Sequence, residues 1–126
     1  ALAQLDALLM APDRRGNLRG IIARGDQITG WPNPLYPDGD IRARNLLEAL
    51  KPSAPIAKVL RAIEAETGEK PNCDASLAAL TRDLDLPAEA AFSIFALARM
   101  TGWLAHAMEQ REANRLIRPR ARYIGD

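Results

Sequence analysis

The segment Gly30-Trp31-Pro32-Asn33-Pro34-Leu35-Tyr36-Pro37-Asp38-Gly39-Asp40, residues 30–40, decides how the rest of the chain is organised. Its three prolines each lack a backbone N–H, and its glycines can take backbone conformations that other residues avoid. No strand fits such a sequence. We therefore predict an ordered or functional loop here, since loops held by a rigid scaffold often carry function.

Helical patterns lie on both sides of this loop. Upstream, leucines recur at helical spacing to about Ala11, and a short arginine-rich helix around Leu18 follows. Downstream, Asp40 is expected to cap a helix that Pro52 stops. A further helix is predicted between Ser53 and Gly68.

Two more helices complete the pattern. One is expected to start at Asp74 and to end before Pro87. The run from Ala88 to about Ala113 is apolar on nearly every side, which is typical of a helix buried in a larger assembly. The sequence thus predicts an all-α fold, and the apolar run predicts self-association through an exposed patch.

Composition narrows the class of protein. The chain has 126 residues, and its 17 basic and 16 acidic residues nearly cancel, so its charge favours neither nucleic acid nor a membrane surface. No apolar run approaches the ~20 residues that a membrane span requires. Cys73, the single cysteine, has no disulfide partner in the chain, which favours a reducing compartment and a cytoplasmic location. With one cysteine and one histidine, His106, no metal site is expected.

Four segments together resemble citrate synthases. They are residues 30–40, the stretch Lys70-Pro71-Asn72-Cys73-Asp74, residues 98–106 (Ala-Arg-Met-Thr-Gly-Trp-Leu-Ala-His) and residues 117–125 (Ile-Arg-Pro-Arg-Ala-Arg-Tyr-Ile-Gly). Their order and spacing agree over essentially the whole chain, which corresponds to the C-terminal third of such an enzyme. The resemblance implies a multi-helical citrate-synthase-like fold. Residues 12–86 would form the small domain, and residues 87–126 the long helix and the tail that returns to the large domain.

The resemblance also implies a reaction, the condensation of acetyl-CoA with oxaloacetate to give citrate and CoA. Asp74 stands where the family keeps the base that removes a proton from the thioester methyl group. Arg42, Arg99 and Arg118 stand where the family has arginines that bind the dicarboxylate, the last reaching into the neighbouring subunit. Without the resemblance, Asp74 would be read as a helix cap, and each arginine as a surface residue or a helix-end cation.

The active-site loop departs from the family pattern. Where the family has Gly-aromatic-Gly-His-Pro, this chain has Gly30-Trp31-Pro32-Asn33-Pro34, so Asn33 replaces a catalytic histidine. An asparagine amide can donate a hydrogen bond but cannot carry a positive charge. Pro32 removes a donor from the part of the loop, here Trp31 and Pro32, that the family uses to bind CoA. The other catalytic histidine of the family lies before the point where this chain begins.

These observations lead to two functional hypotheses and a third, simpler one. The first is a fragment of a citrate-synthase-like acyltransferase, weakened or inactive as this chain, with acetyl-CoA as co-substrate and no permanently bound cofactor. The second is a non-catalytic paralogue that binds a dicarboxylate for sensing or assembly. The third is a helical interaction module without a ligand. Expected partners are oxaloacetate or a similar dicarboxylate, a CoA thioester, and a second copy or an N-terminal region. The choice between acetyl- and propionyl-CoA stays open.

Overall fold

The computed structural model describes residues 1–31 and 35–115, and in that part of the chain the regular structure is entirely helical. The helices are α1 (Leu2–Met10), α2 (Arg14–Ala23), α3 (Ile41–Leu50), α4 (Ala54–Thr67), α5 (Cys73–Asp83) and α6 (Ala90–Ala113). The predicted all-α fold is confirmed, and the described residues between α2 and α3 contain no strand.

Local chemistry explains where the helices begin and end. The carboxylate of Asp40 accepts a hydrogen bond from a first-turn N–H of α3, as the sequence predicted. Gly68 closes α4 in the left-handed conformation, with φ of +72°, again as predicted. Ser53 precedes α4, but its side chain makes no capping bond. Its backbone N–H donates instead to Asp83 at the end of α5, at 2.9 Å.

The chain forms two compact units, residues 1–93 and residues 94–126. In the first unit α1 packs on α2, α4 and α5, and α3 packs on α5. The core is built from the residues Leu5, Leu8, Leu18, Ile28, Trp31, Ile56, Val59, Leu60, Ile63, Ala75, Ala78 and Ala79. Three alanines on α5 let neighbouring backbones approach closely, so α5 becomes the central helix of the unit. The division at residue 87 into small domain and long helix stays a prediction.

The long helix α6 matches the predicted apolar run, but none of its residues is buried in this chain. Its exposed large apolar side chains are Phe92, Phe95, Leu97, Met100, Trp103, Leu104 and Met108. In the described part of the chain, no helix is long and apolar enough to cross a membrane. Burial of α6 in a larger assembly therefore stays a prediction.

Candidate active site

One buried carboxylate, that of Asp40, connects the beginnings of α3 and α5. Its Oδ1 accepts from the backbone N–H and the Nε of Arg42, at 3.0 and 2.9 Å. Its Oδ2 accepts from Nη2 of Arg42 at 2.8 Å and from the backbone N–H of Cys73 at 3.1 Å. The Asp40 side chain is fully buried, whereas that of Arg42 is 49% exposed. Asp40 thus holds Arg42 on one side and the first residue of α5 on the other.

The burial of a carboxylate at this junction is favourable because α3 and α5 both begin there. First-turn N–H groups have no acceptor within their own helix, and the positive end of each helix dipole attracts a negative charge. A single carboxylate serves both needs here. The hydrogen bonds from Arg42 hold the pKa of Asp40 below its usual range, against the opposing effect of burial. Asp40 is therefore ionised at neutral pH.

Asp40 orients the guanidinium of Arg42 but binds only some of its N–H donors. Asp40 occupies the side-on pair of donors, Nε and one N–H of Nη2. The Tyr36 ring lies 5.0 Å from the guanidinium carbon, within the range of a cation–π contact. A guanidinium has five N–H donors, so the end-on pair formed by Nη1 and Nη2 remains able to bind a second carboxylate. The ion pair raises the pKa of Arg42, which keeps it positively charged.

Asp74 is the second residue of α5, and it is exposed. The cap of this helix is Asn72, whose side-chain oxygen accepts from the N–H groups of Asp74 at 2.9 Å and Ala75 at 3.3 Å. The alternative interpretation of Asp74 as the capping residue is therefore wrong. No donor among residues 1–31 and 35–115 binds the Asp74 carboxylate, which leaves it available to act as a base.

The loop of residues 30–40 is fastened at both ends to the start of α5. At its beginning, the Gly30 carbonyl accepts from the N–H of Asn72 at 3.0 Å. At its end, Asp40 accepts from the next N–H along, that of Cys73. A side chain at Gly30 would be excluded, because a Cβ there would lie 2.9 Å from the Cβ of Ala75. The register between this loop and Asp74 is therefore set by two consecutive backbone N–H groups.

Trp31 is part of the core. Its side chain is 7% exposed, and its indole N–H has no partner within the described residues. Any contact of this residue with CoA would therefore come from its backbone and not from its ring. Pro32 and Asn33, the other predicted loop residues, lie outside the described residues.

Cys73, between the cap and the predicted base, is a half-buried thiol. Burial raises the pKa of the thiol, so Cys73 is neutral near pH 7. Within the described ranges, no group of histidine, cysteine, aspartate and glutamate residues could hold a metal ion.

The remaining predicted arginines lie elsewhere in the chain. Arg99 is exposed on α6, in the second unit. Arg118 lies outside the described residues. Of the predicted site residues that the structure describes, Arg42 and Asp74 are positioned by the same junction. Asp40 was predicted as a helix cap alone, and its role in holding Arg42 was not predicted. The Asp-x-Arg spacing at the start of α3 was the local signal for it.

Comparisons with known proteins give the same family throughout. Residues 2–120 match the family described as citrate synthase, C-terminal domain. Citrate synthase 2 of Bacillus subtilis is 36% identical over 118 residues, covering 86% of this chain and 32% of the relative. The citrate synthase of Haloferax volcanii is 38% identical over 119 residues, covering 86% and 31%. The 2-methylcitrate synthase of Shewanella oneidensis is 34% identical over 123 residues, covering 90% and 33%. The chain thus spans about a third of the length of these relatives.

Proposed function

Because this chain belongs to the citrate synthase family, we propose that it supplies the C-terminal part of an active site that condenses an acyl-CoA with oxaloacetate. The observation that carries the proposal is the junction at Asp40. There a half-exposed arginine and a carboxylate that has no partner among the described residues stand at the starts of two adjacent helices. Such a pair suits a reaction that must bind an anionic substrate beside a general base.

In the proposed reaction, Asp74 removes a proton from the methyl group of the thioester. The resulting enol carbon attacks the ketone carbon of oxaloacetate, and the ketone oxygen becomes an alkoxide that takes up a proton. Water then cleaves the thioester, which releases citrate and CoA. Arg42, Arg99 and Arg118 would bind the carboxylates of oxaloacetate through paired N–H donors.

Asn33 would be the donor to the ketone oxygen. An uncharged amide stabilises a developing alkoxide less than a histidine does, since it can supply neither a positive charge nor a proton. The backbone around Trp31 and Pro32 would face CoA with one N–H fewer, because proline has none. We therefore expect slow turnover, with acetyl-CoA as a co-substrate and no permanently bound cofactor.

A second candidate is a dicarboxylate-binding protein without catalysis. It is supported by Asn33 in the histidine position and by Arg42, which Asp40 holds in place independently of Asp74. Such a protein would bind oxaloacetate but would not use Asp74. The two candidates therefore differ in the predicted effect of removing the Asp74 carboxylate: the first requires it for catalysis, and the second does not use it.

The test joins residues 1–126 to the two thirds of Bacillus subtilis citrate synthase 2 that the chain does not span. Thiol release is followed after mixing with oxaloacetate and either acetyl- or propionyl-CoA, which also settles the acyl preference. Asp74→Asn should abolish release, whereas the matched control Asp85→Asn, at an exposed aspartate eleven positions away, should leave it unchanged.

Binding separates the remaining outcomes. Oxaloacetate binding that Arg42→Gln removes, without thiol release, would favour the second candidate. A folded chimera, checked by circular dichroism, that neither binds oxaloacetate nor releases thiol would contradict both and leave only a helical interaction module.

We also propose that α6 packs against further protein, either a second copy of the chain or the region that the relatives carry on their N-terminal side. The support is its large exposed apolar surface, including Phe92 and Trp103. Sedimentation over a range of concentrations tests the second copy, and a monomer at every concentration would contradict it. The cytoplasmic location expected from the unpaired cysteine is likewise proposed.

A further inference from the structure

A basic cavity of about 800 Å³ lies within the first unit, away from the junction at Asp40. Its walls come from the end of α1, the start of α2 and one face of α4. Four cationic side chains line it: Arg14, Arg15, Lys58 and Arg61. Among the described residues, Asp13 is the one carboxylate in the lining.

The four cavity cations lack the two-oxygen carboxylate contacts that Arg19 and Arg82 of the same unit make within the described residues. Arg19 binds both carboxylate oxygens of Glu66, and Arg82 binds both of Asp6. By contrast, none of the cavity cations forms an ion pair with any carboxylate in residues 1–31 and 35–115. Asp13 is already used, because its Oδ1 accepts from the N–H of Gly16 as the cap of α2.

Two of the cavity cations stand at unfavourable positions. Arg14 and Arg15 are the first two residues of α2, where the helix dipole disfavours positive charge, and this turn has no acidic residue. Arg14 donates a hydrogen bond to the Leu9 carbonyl at the end of α1, at 3.1 Å, which partly offsets its unfavourable position. Its Nε has no partner within the described residues. Arg15, which is exposed, makes no hydrogen bond of this kind.

The other two cavity cations repel each other. Lys58 and Arg61 lie three positions apart on α4, where like charges destabilise a helix. Folding therefore collects four positive charges around one cavity whose described lining holds a single carboxylate, that of Asp13; outside the lining, Glu66 interacts electrostatically with Arg15. A multivalent anion in the cavity would remove this repulsion and would interact favourably with the start of α2.

We propose that the basic cavity binds a small molecule that carries a pyrophosphate group. Four cations and one carboxylate leave a net charge of +3, since four minus one is three. Two linked phosphates carry roughly three negative charges near neutral pH, whereas a dicarboxylate carries about two. Guanidinium groups match phosphate oxygens with paired N–H donors. Leu9 and Met10 add an apolar surface on which an organic part of the ligand can rest.

The experiment measures pyrophosphate binding to the 126-residue chain by calorimetry at low ionic strength, with sulfate of equal ionic strength as the reference. The test variant is Lys58→Gln/Arg61→Gln. The control is Arg44→Gln/Arg111→Gln, which removes the same charge from two exposed arginines outside the cavity that form no ion pair within residues 1–31 and 35–115. We expect the Kd for pyrophosphate to rise about tenfold or more in the test variant and less than about twofold in the control.

A second readout guards against misfolding. Without ligand, the test variant should unfold at a higher temperature than the unaltered chain, because two repelling charges are gone. Saturating pyrophosphate should stabilise the unaltered chain and not the variant. ADP, which carries a terminal pyrophosphate group, is a second probe that distinguishes the source: equal protection by ADP identifies an organic pyrophosphate, and protection by inorganic pyrophosphate alone identifies a free anion. Absence of saturable binding, or equal weakening in both variants, would overturn the proposal.

Discussion

Asp40 accepts a hydrogen bond at 3.1 Å from the backbone N–H of Cys73, a residue 33 positions further along the chain. The same carboxylate binds the guanidinium and the backbone N–H of Arg42. One side chain therefore aligns the helix that carries the proposed substrate-binding arginine with the helix that carries the proposed base, Asp74. Changes at this junction should affect stability and activity together.

Removing the Asp40 carboxylate should destabilise the fold. Asp40→Ala leaves first-turn N–H groups of α3 and α5, together with the guanidinium of Arg42, without their acceptor. We expect the free energy of unfolding to fall by about 2–4 kcal/mol. Urea denaturation measures this change. The control Asp38→Ala, at an exposed loop aspartate, should change it by no more than about 0.5 kcal/mol. Equal effects of the two substitutions would contradict a junction role.

Acid should weaken the same junction. The pKa of Asp40 in the fold lies below its usual value of 3.8, mainly because of the hydrogen bonds from Arg42. For a lowered pKa, the stabilisation is complete above the usual value and is lost as the pH falls through the value in the fold. Unfolding measured between about pH 5 and 2 should therefore show a shallower loss of stability in Asp40→Asn than in the unaltered chain. Parallel dependence of stability on pH in Asp40→Asn and in the unaltered chain would contradict the assignment of this effect to Asp40.

Gly30 should tolerate no side chain. It has φ of +98°, and a Cβ would lie 2.9 Å from the Cβ of Ala75. Gly25 is a matched control, since its φ is +74° but its surroundings are open. We expect Gly25→Ala to cost about 1 kcal/mol for the backbone conformation alone, and Gly30→Ala about 1–2 kcal/mol more for the clash. Thermal unfolding measures the stability that each variant loses. Similar losses in Gly25→Ala and Gly30→Ala would mean that Gly30 is not in close contact with α5.

Cys73 should react slowly with alkylating reagents. Burial raises the pKa of its thiol, so less thiolate is present near neutral pH than for an ordinary cysteine. The rate of reaction with iodoacetamide, followed against pH, should inflect at a higher pH in the folded chain than in urea. Restricted access alone would lower the rate without moving the inflection, so the pH profile distinguishes the two causes.

Restoring a histidine should accelerate the proposed reaction. In the chimera with the Bacillus subtilis relative, Asn33→His supplies a donor that can carry positive charge towards the developing alkoxide. We expect kcat to rise by about 10²–10³ with little change in binding of the CoA thioester. The measurement is thiol release under saturating substrates. An unchanged or lower kcat would indicate that another residue has taken over this role.

Much of the fold follows from the sequence because it depends on neighbours along the chain. The leucine spacing of α1, the cap at Asp40 and the stop at Gly68 are local, and each was predicted correctly. The resemblance to citrate synthases singled out Arg42 and Asp74 through motifs that are equally local. The alternative interpretation of Asp74 as a cap was wrong by two positions, since Asn72 takes that role; both side chains are of the capping type.

By itself, then, the amino-acid sequence determined the helical class, the family and the candidate residues. Only the tertiary structure decided that Asp40 serves two helices, that Gly30 meets Ala75, and that the indole of Trp31 enters the core. Each of these depends on how segments distant in the sequence pack together. A capping bond forms within one turn of chain, whereas a contact across 33 residues exists only once the helices have assembled around a common core.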